Sequence, residues 1–244
     1  MKKYFTASPF ELAIIALSVI SIISILGTPF AYALDLTIPT PPVITLPAVF
    51  TDVSASSQYY NALVYLKAQG VVGGYSDGSF KPDQKINRAE FTKIIVGAVR
   101  PSPTDYLCMS TNFQTSAGVY SDVFTDVRAA TDAWYLDPIC YAKMNKLVNG
   151  YPDGSFKPDQ NINFAETAKI VFNGFQGSDA YVAPVDHNAP WYFTYADDLA
   201  FRHAIPTTIT RFDQQITRGE MAEIVFRLKT KNTSLSSKTY AELR

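Results

Sequence analysis

The sequence predicts a mainly α fold built from three helix–loop–helix units. Three observations carry that prediction. One stretch occurs twice and, in part, a third time; a helix-start signature follows each copy; and apolar residues recur at spacings of three and four on both sides of it. Tyr75–Gln84 and Tyr151–Gln160 differ only at Ser76 and Pro152, at an offset of 76 residues. A weaker third copy, Arg211–Glu220, aligns Phe212-Asp213-Gln214 with Pro158-Asp159-Gln160 at an offset of 54. The heads of the units match as well. Phe50-Thr51-Asp52-Val53 recurs as Phe124-Thr125-Asp126-Val127, with Val185-Asp186 a remnant, and then come Tyr59-Tyr60, Trp134-Tyr135 and Trp191-Tyr192.

Taken in chain order, residues 1–33 read as a signal peptide or an N-terminal membrane anchor. Lys2 and Lys3 precede an uncharged run from Leu12 to Leu34, and Ala31-Tyr32-Ala33 has the small-x-small pattern of a cleavage site. The rival is a membrane tether through residues 12–34, weakened by Pro29 and scattered polar residues. Both place the remainder outside the cytoplasm. Residues 34–47 carry Pro39, Pro41, Pro42 and Pro47, which forbid a helix and favour a stiff, extended linker.

Unit one spans 48–100, an insertion 101–121, unit two 122–176, a degenerate unit three 177–229 and a polar, unstructured tail 230–244. The first helix of each unit is expected to bury Tyr60, Leu63, Val64 and Leu66; Trp134 or Tyr135, Ile139, Ala142 and Leu147; and Tyr195, Leu199 and Ala200. Gly70 stops the first of these. Asp77-Gly78 and Asp153-Gly154 form tight turns, and Phe80 and Phe156 plug the space between helices. Capping boxes at Asn87–Glu90, Asn163–Glu166 and Thr217–Glu220 open the second helices. Those helices are expected to bury Phe91, Ile94, Ile95; Ala168, Ile170, Val171; and Met221, Ile224, Val225. No unit can bury its apolar face alone, so the three share one core.

These features resemble a triplet of S-layer homology (SLH) modules, over roughly residues 48–229. The loops Gly74–Pro82 and Gly150–Pro158 look like the family's G-Y-x-D-G-x-F-x-P pattern, and Asn87-Arg88-Ala89-Glu90 and Thr217-Arg218-Gly219-Glu220 its T-R-A-E start. The resemblance implies a pseudo-threefold spindle around a central helical bundle, with grooves between units. It implies non-catalytic anchoring to the cell envelope through a cell wall glycan: a secondary cell wall polymer, often pyruvylated, or a peptidoglycan-linked glycan. It also implies that Arg88 and Arg218 bind the anion beside loop backbone and aromatic surface.

Physical chemistry supports the arginine reading. An arginine at the first helical position sits outside the capping box and need not support the fold. It can pair bidentately with a carboxylate, and the helix N-terminus adds unsatisfied N–H groups. Unit one holds the full set of Gly74, Tyr75, Asp77, Gly78, Lys81 and Arg88, so one complete groove, and at most two, is expected. Unit two has Phe164 in the arginine position, leaving Lys157 or Lys169 as its cation, and unit three lacks the Gly-Tyr-x-Asp-Gly stretch. Trp134 and Trp191 are candidate sugar-facing residues. Cys108 and Cys140 are the candidate disulfide, pinning the insertion.

Composition excludes other classes. A net charge of -1 offers no excess field for nucleic acid, and 14% aromatic residues exclude an acidic disordered chain. His187 and His203 have no ligand-spaced neighbours, so neither a metal nor another cofactor is expected. No Ser-His-Asp arrangement suggests an enzyme, and Glu90, Glu166 and Glu220 are explained as caps. The competing reading is a membrane-tethered structural or self-associating envelope or S-layer protein without a dedicated glycan ligand, with an envelope protein as partner.

Overall fold

The computed structural model describes residues 49–100, 122–128, 133–176 and 188–243, all within the unit Thr45–Arg244. The N-terminal segment with the membrane-tether candidate 12–34, the linker, the insertion with Cys108, and Val185 to His187 lie outside the described residues. Six α-helices are described: α1 (Tyr60–Ala68), α2 (Arg88–Val99), α3 (Leu136–Met144), α4 (Phe164–Phe175), α5 (Phe193–Phe201) and α6 (Arg218–Thr230), followed by a 3-10 turn at Tyr240–Leu243. Among the described residues only isolated β-bridges form, so the fold is mainly α as predicted. No described helix is long and apolar enough to cross a membrane.

The second helices start where the capping residues stand. Asn87, Asn163 and Thr217 are extended, and each side chain accepts a bond from the N–H of the glutamate three positions on. In α4 and α6 the glutamate also reaches back, completing the box. The first helices have no side-chain cap; α1, α3 and α5 follow a turn whose last residue, Tyr59, Tyr135 or Tyr192, is already right-handed. They end alike, on left-handed Gly70, Lys146 and His203. The next N–H in each case, of Val71, Leu147 or Ala204, closes back five residues onto Leu66, Ala142 or Leu199. Glycine marks this stop in the sequence only once, because the same closing bond holds lysine and histidine there.

Helices pair between units, and they do so cyclically. α1 of unit one packs on α6 of unit three, α3 of unit two on α2 of unit one, and α5 of unit three on α4 of unit two. α2 touches both α4 and α6. The arms before the second helices meet in a closed ring: the Ile86 N–H donates to Ile216 C=O (3.2 Å), Ile216 to Ile162 (3.1 Å), and Ile162 to Ile86 (3.1 Å). All three side chains are fully buried.

The core residues expected of the second helices are buried, and Phe80 and Phe156 are fully enclosed, each against its unit's head phenylalanine, Phe50 or Phe124. Val64 is a correction. It is 39% exposed, and Ala62 takes its place beside Tyr60, Leu63 and Leu66, because α1 turns its buried face toward α6 rather than toward its own unit. Asp52 has a role the sequence did not suggest. Its carboxylate accepts the N–H groups of Phe80 (2.8 Å) and Lys81 (2.7 Å), and Asp126 does the same for Phe156 and Lys157.

The tail also departs from expectation. Lys238 N–H donates to Ile205 C=O, Arg227 Nη1 donates to Ser236 C=O, Leu243 is buried, and Tyr240 meets Phe193 edge to face and Phe212 at a tilt. The polar composition hid two apolar anchors three residues apart. Two substitutions separate ring from surface. Ile86→Ala is expected to lower unfolding free energy by about 2–4 kcal/mol, and Val64→Ala by less than about 0.5 kcal/mol, both read from urea denaturation.

Candidate functional site: two inter-unit grooves

The loops that line the grooves depend on two glycines. Gly74 and Gly150 have φ of +74° and +75°, and a Cβ on either would lie 2.5–2.6 Å from the head phenylalanine ring and 2.7–2.8 Å from the Ser79 or Ser155 carbonyl. The turns close as predicted. Asp77 accepts from the Ser79 N–H and hydroxyl, and Asp153 from those of Ser155, which holds both carboxyls below their usual range.

Each arginine serves the loop of the following unit. Arg218, on unit three, donates from Nε to the Phe80 carbonyl (2.7 Å), places Nη1 3.4 Å from Glu90, and lies 4.7 Å over both the Tyr75 and Phe80 rings. Arg88, on unit one, donates to the Phe156 carbonyl (2.8 Å), lies 3.4 Å from Glu166, and covers Tyr151 and Phe156 at 4.6 and 4.8 Å. Both arginines are buried. The expected set of Arg88 with Gly74, Tyr75, Asp77, Gly78 and Lys81 is therefore corrected: Arg218 joins Gly74 and Tyr75, and Arg88 joins unit two.

Two cavities result. One of about 310 Å³ is lined by Gly74, Tyr75, Glu90, Lys93, Trp134 and Arg218, among others. The other, about 420 Å³, has Gly150, Tyr151, Glu166, Lys169, Trp191 and Arg88 in the corresponding places. Each thus draws on three units. Trp134 and Trp191 stand 52% and 57% exposed at the rims, with Lys93 and Lys169 5.1 and 5.6 Å from their rings. The charged lining residues of each cavity are one arginine, one glutamate and one lysine, a net of +1. Lys93 was not singled out from the sequence, although it lies five residues after Arg88, as Lys169 lies five after Phe164.

Other predicted residues sit elsewhere. Asp77, Gly78, Lys81 and Lys157 line neither cavity. Lys81 and Lys157 are left-handed, with Nζ 4.3 Å over Tyr75 and Tyr151, and Lys157 also lies 3.7 Å from Asp153. Cys140 is fully buried in α3, while Cys108 lies outside the described residues.

The helix N-termini do not offer the free donors expected of them. The N–H groups of Arg88 and Ala89 bond the carbonyls of Gln160 and Pro158, and those of Arg218 and Gly219 bond Gln84 and Pro82. Glu90 and Glu220 N–H groups go to the caps. The neighbouring loop occupies each N-terminus, so an anion would meet side chains instead.

The two sequence departures fall together. Phe164 is fully buried near Phe212 and faces unit three, the unit with the missing loop. Position 223, which matches Lys93 and Lys169, is Glu223, paired with Arg227 at 2.9 Å. Tyr59, which matches Trp134 and Trp191, is buried against Gly219, where an added Cβ would lie 2.4 Å from its ring. The third position thus has neither cation nor exposed aromatic.

Burial pushes the Tyr75 and Tyr151 hydroxyls up; Tyr151, which also donates to Glu166 at 2.6 Å, reaches about 12. The fold favours the neutral phenol, so this contribution is intact below pH 10.0 and fades as pH rises through about 12. In an ultraviolet titration, Tyr151→Phe is expected to remove the phenol that ionises at about 12. Arg88→Ala strands Glu166 and the Phe156 carbonyl, and is expected to cost about 3–5 kcal/mol in denaturant unfolding; Lys169→Ala is expected to cost less than about 0.5 kcal/mol.

The S-layer homology domain model matches residues 49–92 and 123–168, which contain the loops and second-helix starts of units one and two. The third helix pair lies outside both matches. A surface layer protein of Brevibacillus choshinensis is 35% identical over 106 residues, 43% of this chain and 8% of the relative. A middle cell wall protein of Brevibacillus brevis is 28% identical over 160 residues, 66% of this chain and 13% of the relative. A cellulosome-anchoring protein of Acetivibrio thermocellus is 29% identical over 122 residues, 50% of this chain and 25% of the relative. The chain thus spans a quarter or less of these relatives' length. These matches place the protein at the cell surface, outside the cytoplasm. Residues 49–92 and 123–168 of this chain are thus similar in sequence to S-layer homology domains.

Proposed function

We propose that this protein is a non-catalytic anchor that holds to the cell envelope by binding an acidic wall glycan in two grooves, one built around Arg218 and one around Arg88. A secondary cell wall polymer carrying pyruvyl groups fits this reading, as does another acidic glycan linked to peptidoglycan. The observation that carries it is the duplicated constellation of buried arginine, rim lysine and half-exposed tryptophan, with a net charge of +1 in each cavity.

The roles divide by burial. Each arginine is already matched by a glutamate at 3.4 Å, so it orients the loop and the tyrosine and offers its remaining N–H groups to a carboxylate. The lysine supplies the excess charge at the rim, where an incoming anion first loses water. The tryptophan presents an apolar face with a polar edge, suited to a sugar ring. Glu166 completes a capping box and pairs with Arg88, and Glu90 pairs with Arg218, which supports a binding role rather than a chemical one. Export through residues 1–33 and a Cys108–Cys140 disulfide belong to the same proposal.

The test is co-sedimentation of the full chain with wall material from the producing organism, intact or stripped of its secondary polymer. Lys93→Ala and Lys169→Ala suit it better than arginine variants, because neither lysine holds the fold. Each is expected to weaken binding to intact walls by roughly tenfold, and the pair to bring it near background. Raising salt is expected to weaken wild-type binding as well. A double variant that binds like the wild type would overturn the proposal, and equal binding to stripped walls would exclude the secondary polymer and leave the peptidoglycan-linked glycan as the ligand.

A further inference from the structure

We infer that the folded tail builds a second sugar subsite, adjoining the Arg88 groove, that takes an uncharged, hydroxyl-bearing unit of the same polymer. The inference rests on the anchoring reading and extends it. A cavity of about 520 Å³ lies between the start of α4, the arm of unit three and the tail, a size within the usual range for small-ligand sites. Tyr192, Phe212 and Tyr240 form its walls, with ring centres 4.6 Å apart between Tyr192 and Phe212 and 5.0 Å between Phe212 and Tyr240. Leu243, the buried tail anchor, also lines it. Without residues 231–243 this cavity would lose one wall.

Three features select the occupant. Trp191 lines this cavity and the Arg88 groove alike, so one extended ligand can cross the exposed indole from one to the other. The charged lining residues here are Arg211 and Asp213, which cancel, against the net +1 of the Arg88 groove; an anion gains nothing from this site. Arg211 and Asp213 lie 3.1 Å apart and are 67% and 77% exposed. A solvated pair of this kind is held weakly. Its donors and acceptor can turn to adjacent sugar hydroxyls, while the aromatic walls take the apolar face of the ring.

The experiment uses the full chain and the wall polymer released from the producing organism, fractionated into its acidic terminal unit and longer oligomers that carry that unit. Isothermal titration is expected to show the wild type binding the longer oligomer roughly tenfold more tightly than the terminal unit. Arg211→Ala/Asp213→Ala, an exposed double change, is expected to abolish that preference and leave affinity for the terminal unit unchanged. Tyr240→Ala is a second variant for the same effect, with its thermal midpoint measured alongside. A double variant that keeps the length preference, or a wild type without one, would sink this inference alone. A wild type that binds neither fragment would sink the groove reading, and this one with it.

Discussion

The closed ring of backbone bonds among Ile86, Ile162 and Ile216 is the constraint on which the rest of the structure depends. A buried N–H must find a partner, and each of these three finds it on a different unit. The adjacent helix starts extend the rule: the first two N–H groups of α2, α4 and α6 all bond loop carbonyls of the next unit. No unit can satisfy its own backbone, so the three units order together. The loop that fills a neighbour's helix start is held by its own unit's head aspartate, Asp52 or Asp126, in the two complete repeats.

That exchange also makes every groove an inter-unit feature. An arginine at the first position of a second helix is carried into the neighbouring loop by the same bonds that seat the helix. It becomes a buried, paired residue with a structural duty, and a ligand would share it. Burying such a pair away from water is unfavourable unless both partners are bonded; here each arginine also donates to a carbonyl and lies over two rings. The unmatched charge is left to a lysine further along the following helix, at the surface, where it can be solvated until a ligand arrives.

The third position shows the same architecture used without an arginine-centred groove. Phe164 fills the arginine's space with apolar volume, and Tyr59 fills the rim by packing onto Gly219. Unit three then compensates for its short loop with the tail, which bonds Ile205 and covers Phe212 through Tyr240. A chain that carries two loops of the full length thus retains two arginine-centred grooves.

The sequence alone determined what depends on neighbours in the chain. Capping residues, turn aspartates, loop glycines and the burial of Phe80 and Phe156 follow from local bonding and spacing, and they were legible. So was the family resemblance, because it rests on contiguous motifs. Tertiary structure decided which unit each arginine serves, that Phe164 and the missing loop share one groove, that Lys93 and Lys169 stand at the rims, and that the tail folds. These follow from a cyclic exchange between units whose partners lie roughly fifty to more than a hundred residues apart. Periodicity reports only which face of an element is apolar, and says nothing of which neighbour that face will meet.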